Sequence, residues 1–167
     1  IEIGILKSSV ILPLFEYKPA DKEHKTRLKT EPKTPLPVMV KEITEEDTAY
    51  GVKGPIGRWF CLYRYPKPGM RSHYPFWSEI IKKFGTIGLI AWDAKEKDVA
   101  RGLITFLPKY VARKIGLPTS PVSQNIEKTL SVFCINVGGE QRRGIATALM
   151  NGTIDYAQRK GYLKIEV

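Results

Sequence analysis

Residues 130–167 constrain this chain more than any other stretch. A continuous apolar run, Leu130 to Val137, leads into Gly138-Gly139 and then Gln141-Arg142-Arg143-Gly144-Ile145-Ala146. Ile145, Leu149, Ile154 and Ala157 follow at helical spacing as far as Gly161, and Leu163–Val167 is strand-like again. The order predicts a buried strand, a tight turn, an amphipathic helix and a second strand. A strand that feeds a helix through a basic, glycine-containing turn is a physical anion site. The helix start presents N–H groups without intrahelical partners and the positive end of the dipole. Gly144 removes a side chain where a phosphate must approach the backbone. Arg142 and Arg143 add charge, and Ala146 keeps the first turn small. The phosphate-loop pattern Gly-x-x-x-x-Gly-Lys-Ser/Thr does not occur, and the dinucleotide Gly-x-Gly-x-x-Gly fingerprint is absent from this turn.

The rest of the chain supplies a setting for that unit. Val40–Ile43 can form a strand, and Thr44 with Asp47 three residues on is a helix-start signal. Gly51–Met70, rich in glycine, proline and aromatics, has no clear assignment. Phe76, Trp77, Ile80, Ile81 and Phe84 recur at helical spacing before Gly85. Thr86–Trp92 and Val99–Leu107 are β-rich runs around the polar Asp93–Asp98, which predicts a hairpin. Pro108–Thr129 is a longer connection with a short helix near Tyr110–Ile115. Residues 18–37 carry four prolines and many charges and read as a linker. Residues 1–17 form a short apolar, strand-like piece. The lack of an initiating methionine reads as a processed or excised fragment.

Composition narrows the function classes. The 167 residues suffice for one domain with a core, and 43% apolar content excludes a wholly disordered chain. Two cysteines and two histidines are too few for a cysteine scaffold or a four-ligand metal centre, and no metal is expected. No apolar run reaches the roughly 20 residues that span a bilayer. A net charge of +10 favours an anionic partner: nucleic acid, an acidic surface or a phosphorylated cofactor. Twenty of the 27 basic and 12 of the 17 acidic residues lie from Met39 onward, so the positive field belongs to the globular part.

Gln141–Ala146 resembles the Gln/Arg-x-x-Gly-x-Gly/Ala signature of the GCN5-related N-acetyltransferases. Cys134-Ile135-Asn136-Val137 looks like that family's central strand, Thr147–Lys160 like its next helix and Gly161–Val167 like its fifth strand. The likeness is specific over 130–167 and architectural from residue 39. It implies a mixed α/β sheet of the acyl-CoA N-acyltransferase kind over 39–167, truncated after the fifth strand. It also implies acetyl-coenzyme A as cosubstrate and an unidentified amine acceptor, with direct attack in a ternary complex. Main-chain amides of Arg142, Arg143, Gly144, Ile145, Ala146 and Thr147 would then hold the pyrophosphate. The backbone of Ile135, Asn136 and Val137 would pair with the pantetheine arm, and one N–H would polarise the thioester carbonyl. The expected place of action is the cytoplasm, without a membrane partner.

The sequence departs from the family pattern in three places. The loop from Val137 to Gln141 is one residue shorter and carries Gly138-Gly139 where a proline is frequent. The 108–129 connection is long. No residue occupies the position of the tyrosine acid that the family's next helix often supplies, and Tyr156 and Tyr162 are not its counterparts. Residues 1–17 read as candidate closing strands, in this or a neighbouring copy. Two further function classes stay open: a non-catalytic coenzyme-A-binding or regulatory module, and a nucleic-acid-binding protein built on Trp59–Tyr63 between Arg58 and Arg64. Cys134 reads as a small apolar strand residue rather than a nucleophile, and His73 as a turn or surface residue. Glu127 and Glu166 are conceivable bases through water but read first as solvated or capping carboxylates. No catalytic base is assigned.

Overall fold

The structure, a computed structural model, describes residues 33–50, 74–117, 119–121, 125–139 and 142–167. Five strands form one sheet in chain order: β1 (Val38–Glu42), β2 (Gly88–Asp93), β3 (Ala100–Pro108), β4 (Thr129–Val137) and β5 (Lys164–Glu166). β1 to β4 are antiparallel to their neighbours, and β5 runs parallel to β4. The described helices are α1 (Glu45–Tyr50), α2 (Tyr74–Phe84), α3 (Lys109–Lys114) and α4 (Ile145–Arg159).

Local chemistry explains most boundaries. Thr44 and Asp47 cap α1 reciprocally: Thr44 N–H donates to Asp47 Oδ2 at 2.8 Å, and Asp47 N–H to Thr44 Oγ1 at 3.2 Å. Gly85, at φ 91°, ends α2 in a left-handed conformation that favours glycine. The β2–β3 hairpin turns on Asp93. Its Oδ1 accepts the N–H groups of Lys95 and Glu96, and its Oδ2 accepts Arg101 Nε at 2.8 Å.

Strands β2 and β3 are buried on both faces, which is why they read as unbroken apolar runs. On one face, Trp77, Ile80 and Ile81 of α2 and Val111 and Ala112 of α3 pack on Ile90, Leu103 and Leu107. On the other, Ile145, Leu149, Tyr156 and Ala157 of α4 pack on Leu89, Ala91, Ile104, Phe106 and Leu130. Each such fully buried aliphatic side chain contributes about 1.5–3 kcal/mol.

Two departures from the sequence reading bear on the site. Lys33–Pro37, the end of the proline-rich stretch, is packed on the domain: Leu36 joins the α4-face core, and Leu36 N–H donates to the Arg143 carbonyl at 3.0 Å. The apolar run of β4 is also not a buried strand throughout. Leu130 and Ser131 are buried, but from Val132 onward the strand is half-buried, and Ile135 is 37% exposed. The cause is β5, whose pairing with β4 covers only Thr129 to Ser131.

Candidate functional site

Strand β4 enters the site bent. Thr105 of β3 pairs with Cys134 but the next residue, Phe106, pairs with Val132, so Phe133 is the extra residue of a bulge. One edge of Ile135, Asn136 and Val137 is tied to β3 through Ile104, Leu103 and Gly102. Their opposite edge lies beyond Ser131↔Glu166, the last rung shared with β5. Among the described residues, therefore, β4 keeps a bare backbone edge on that side from Val132 to Val137.

That edge leads to the start of α4. Arg142 (φ 66°) and Gly144 (φ 76°) both sit in the left-handed region, which turns the chain sharply into the helix. Gly144 is the N-cap residue and no side chain caps the helix. Helix geometry leaves the N–H groups of Ile145, Ala146 and Thr147 without intrahelical partners. Ala146, Thr147, Gly144 and Arg142 are exposed, Arg143 is half-buried, and Ile145 is buried as the helix's anchor on the sheet. Among the described residues, a Cβ at Gly144 would meet Pro35 Cβ at 3.9 Å and nothing nearer, so no described side chain fills the space over this residue. Arg143 Nε also donates to the Thr34 carbonyl at 3.2 Å. Donors, dipole and two arginines thus stand at one end of a strand with a free edge. The arrangement can hold a diphosphate at the helix and an extended amide-bearing arm along the strand.

The structure separates the two candidate carboxylates. Glu127 lies with Tyr110 and Lys128 around an open depression before β4. Glu166 stands on the last rung shared by β4 and β5, its side chain 9% exposed and 2.8 Å from the ammonium of Lys109, itself fully buried. Lys109, missed in the sequence, carries no local signal beyond following Pro108 at a helix start. Tyr156 is a core residue, tilted against Phe106 at 4.8 Å between ring centroids. Burial, then the neighbouring Tyr162, pushes its hydroxyl up to about 12. Cys134 is half-buried and disulfide-bonded, so it is neither a free thiol nor simple apolar filling. Gln141, His73, the aromatic–basic stretch 58–64 and the strand-like residues 1–17 lie outside the described residues. Among the described residues no helix is long and apolar enough to cross a membrane, and no His, Cys, Asp and Glu group could hold a metal.

No family model matches the chain, and no curated protein matches it in sequence. Solved structures do. An N-acetyltransferase from Staphylococcus aureus Mu50 aligns with a TM-score of 0.47 and 22% identity, over 75% of this chain and 69% of that one. A GNAT family acetyltransferase from Brucella melitensis, in complex with acetyl-CoA, aligns with a TM-score of 0.40 and 12% identity, over 76% of this chain and 72% of that one.

Proposed function

We propose that the chain is an acetyltransferase of the GCN5-related kind, which binds acetyl-coenzyme A and passes its acetyl group to an amine. One observation carries the reading: an uncapped, arginine-flanked helix start continues directly into the unpaired edge of a bulged strand. The pyrophosphate would sit against the amides of Arg142 to Thr147. The pantetheine arm would lie along Ile135, Asn136 and Val137, adding a strand-like partner beyond Ser131, the last β4 residue paired with β5. Val132 to Val137 spans about 17 Å of extended backbone, so the arm's thiol end would fall near the bulge at Phe133. There the protein's contribution is positioning and a polarising backbone N–H, and the amine attacks the thioester within a ternary complex.

Isothermal titration of the purified chain with acetyl-coenzyme A tests this. Saturable binding is expected, weakened by salt because charge drives much of it, and strongly reduced in Arg142→Glu. Absence of saturable heat at submillimolar ligand would end the proposal. The cytoplasmic location expected from the sequence goes with this reading, although a disulfide at Cys134 sits uneasily with a reducing compartment. Titration of free thiols in chain isolated without reductant decides between them.

A further inference from the structure

Residues 33–37 lead into β1 without belonging to a strand or helix, and they lie against the start of α4. Within them Thr34 and Pro35 form one of the chain's two Ser/Thr-Pro pairs, the other being Ser120-Pro121. Lys33, Thr34 and Pro35 are all exposed. A proline ring holds the residue before it extended, and neither Pro35 nor Pro37 has an N–H to commit to a ladder. An exposed hydroxyl on such a stretch is one that a protein kinase can take into its cleft. What distinguishes Thr34 is the surface beside it. Its carbonyl accepts Arg143 Nε at 3.2 Å, and Leu36 N–H donates to the Arg143 carbonyl at 3.0 Å. The hydroxyl of a threonine stays close to its own carbonyl, so Thr34 Oγ1 stands near the Arg143 guanidinium. Arg142 and Lys33, both exposed, bring further positive charge to the same turn. A guanidinium bonds an anionic oxygen about twice as strongly as a neutral carbonyl, so an anion attached to Thr34 is a better partner than the residue now offers.

Resting on the reading above, we propose that Thr34 is a phosphorylation site and that its phosphate, bound by Arg143, shuts acetyl-coenzyme A out of the turn. In the modification the γ-phosphorus of a nucleoside triphosphate bonds to Thr34 Oγ1 and parts from its diphosphate. The hydroxyl proton passes to the kinase's base, and nucleoside diphosphate leaves. A phosphatase reverses the state with water and releases inorganic phosphate. The added group carries about −1.5 to −2 charges at neutral pH, with three strong acceptor oxygens. It is tethered beside a guanidinium that already touches its own residue, so its effective concentration there is on the order of millimolar or higher. The diphosphate of coenzyme A needs the same positive charge and must arrive from solution. A phosphate on Thr34 satisfies the arginine and repels the second anion. The segment that fixes the turn thereby becomes its competitor.

The full chain carrying Ser120→Ala keeps Thr34 as its one Ser/Thr-Pro site. Ser120 is the reference position: its carbonyl accepts Arg113 Nη2 at 3.3 Å, beyond the end of β3 that pairs with Leu130, at the opposite end of β4 from the turn. The chain is incubated with a proline-directed kinase and magnesium ATP, and the phosphate is located by mass spectrometry. Calorimetry at constant salt then measures acetyl-coenzyme A binding. Phosphate should appear on Thr34 and weaken acetyl-coenzyme A ~10-fold or more. It should also raise the melting temperature, by an increment that Arg143→Gln abolishes. Thr34→Val with Ser120 intact, treated in the same way, should bind acetyl-coenzyme A as the untreated chain does. A folded chain that takes no phosphate on Thr34 overturns the proposal, as does unchanged affinity after modification. Equal weakening in treated Thr34→Val overturns it too, by assigning the effect to overall charge. So does a melting increment that is indifferent to Arg143. An unmodified chain that does not bind acetyl-coenzyme A removes the earlier reading instead, while the melting increment still reports whether the phosphate docks on Arg143.

Discussion

The backbone N–H of Leu36 donates to the carbonyl of Arg143 at 3.0 Å, tying the residues before β1 to the turn that opens α4. The Arg143 guanidinium returns the contact through the Thr34 carbonyl, and Pro35 flanks Gly144. A left-handed residue other than glycine, as Arg142 is here, is costly alone and persists when surrounding structure fixes it. Here a segment more than a hundred residues away in sequence provides that fixing from outside, leaving the helix start open.

Leu36→Pro removes that donor while keeping an extended chain. The orphaned Arg143 carbonyl should cost about 1–3 kcal/mol. Urea denaturation should show a lower midpoint at unchanged slope, and calorimetry a several-fold weaker acetyl-coenzyme A complex. Unchanged affinity would mean that the tether does not shape the anion turn.

The two glycines that bound α4 separate conformational strain from site function. Gly144 (φ 76°) and Gly161 (φ 75°) share the same backbone region, and a Cβ at Gly161 meets nothing within 4 Å. Alanine at either should cost about 1–2 kcal/mol for its left-handed conformation. Only Gly144→Ala should also weaken acetyl-coenzyme A, because only there does the ligand approach the backbone. Equal affinity in the two variants would place the diphosphate elsewhere.

Gly102 sets how closely α4 sits on the sheet. A Cβ there would lie 2.8 Å from Ile145 Cγ2, 3.1 Å from the Asn136 carbonyl and 3.1 Å from Leu149 Cδ1. The carbonyl is backbone and cannot yield, so Gly102→Ala should push the first turn of α4 outward at about 1–3 kcal/mol. Gly152→Ala makes a similar clash with Val40 Cγ1 at 2.8 Å, but away from the helix start and offset by about 1 kcal/mol of helix propensity. Melting temperatures should fall in both variants, more in Gly102→Ala, and only Gly102→Ala should lose ligand affinity.

What was legible in the sequence is what short-range chemistry decides. The Thr44–Asp47 cap, the α2 periodicity with its Gly85 stop, the β2–β3 hairpin and the strand–turn–helix of 129–159 depend on neighbours a few residues apart. The features that escaped depend on distant ones. Leu36 is bound by Arg143, and Lys109 meets Glu166 across 57 positions. The apolar run of β4 gave no sign that it would be only half-buried from Val132 onward, because burial is set by the strands and helices laid against it. The candidate amide site was readable because glycine, arginine and helix polarity are local; the buried lysine that pairs with Glu166 was not.

The hairpin gives a prediction in pH. The backbone N–H groups of Glu96 and Lys95, followed by the Arg101 guanidinium, hold the Asp93 carboxyl down to about 2 from its ordinary 3.8. The unfolded chain therefore takes up this proton near 3.8, whereas the folded chain resists until about 2. Stabilisation by Asp93 is complete above the higher value and drains away as pH falls through that window. Asp93→Asn keeps one acceptor for the turn but loses the charge that binds Arg101, so it should melt lower at neutral pH. Across the acid window the wild-type curve should fall toward that of the variant. Curves that descend in parallel would show that Asp93 does not carry this linkage.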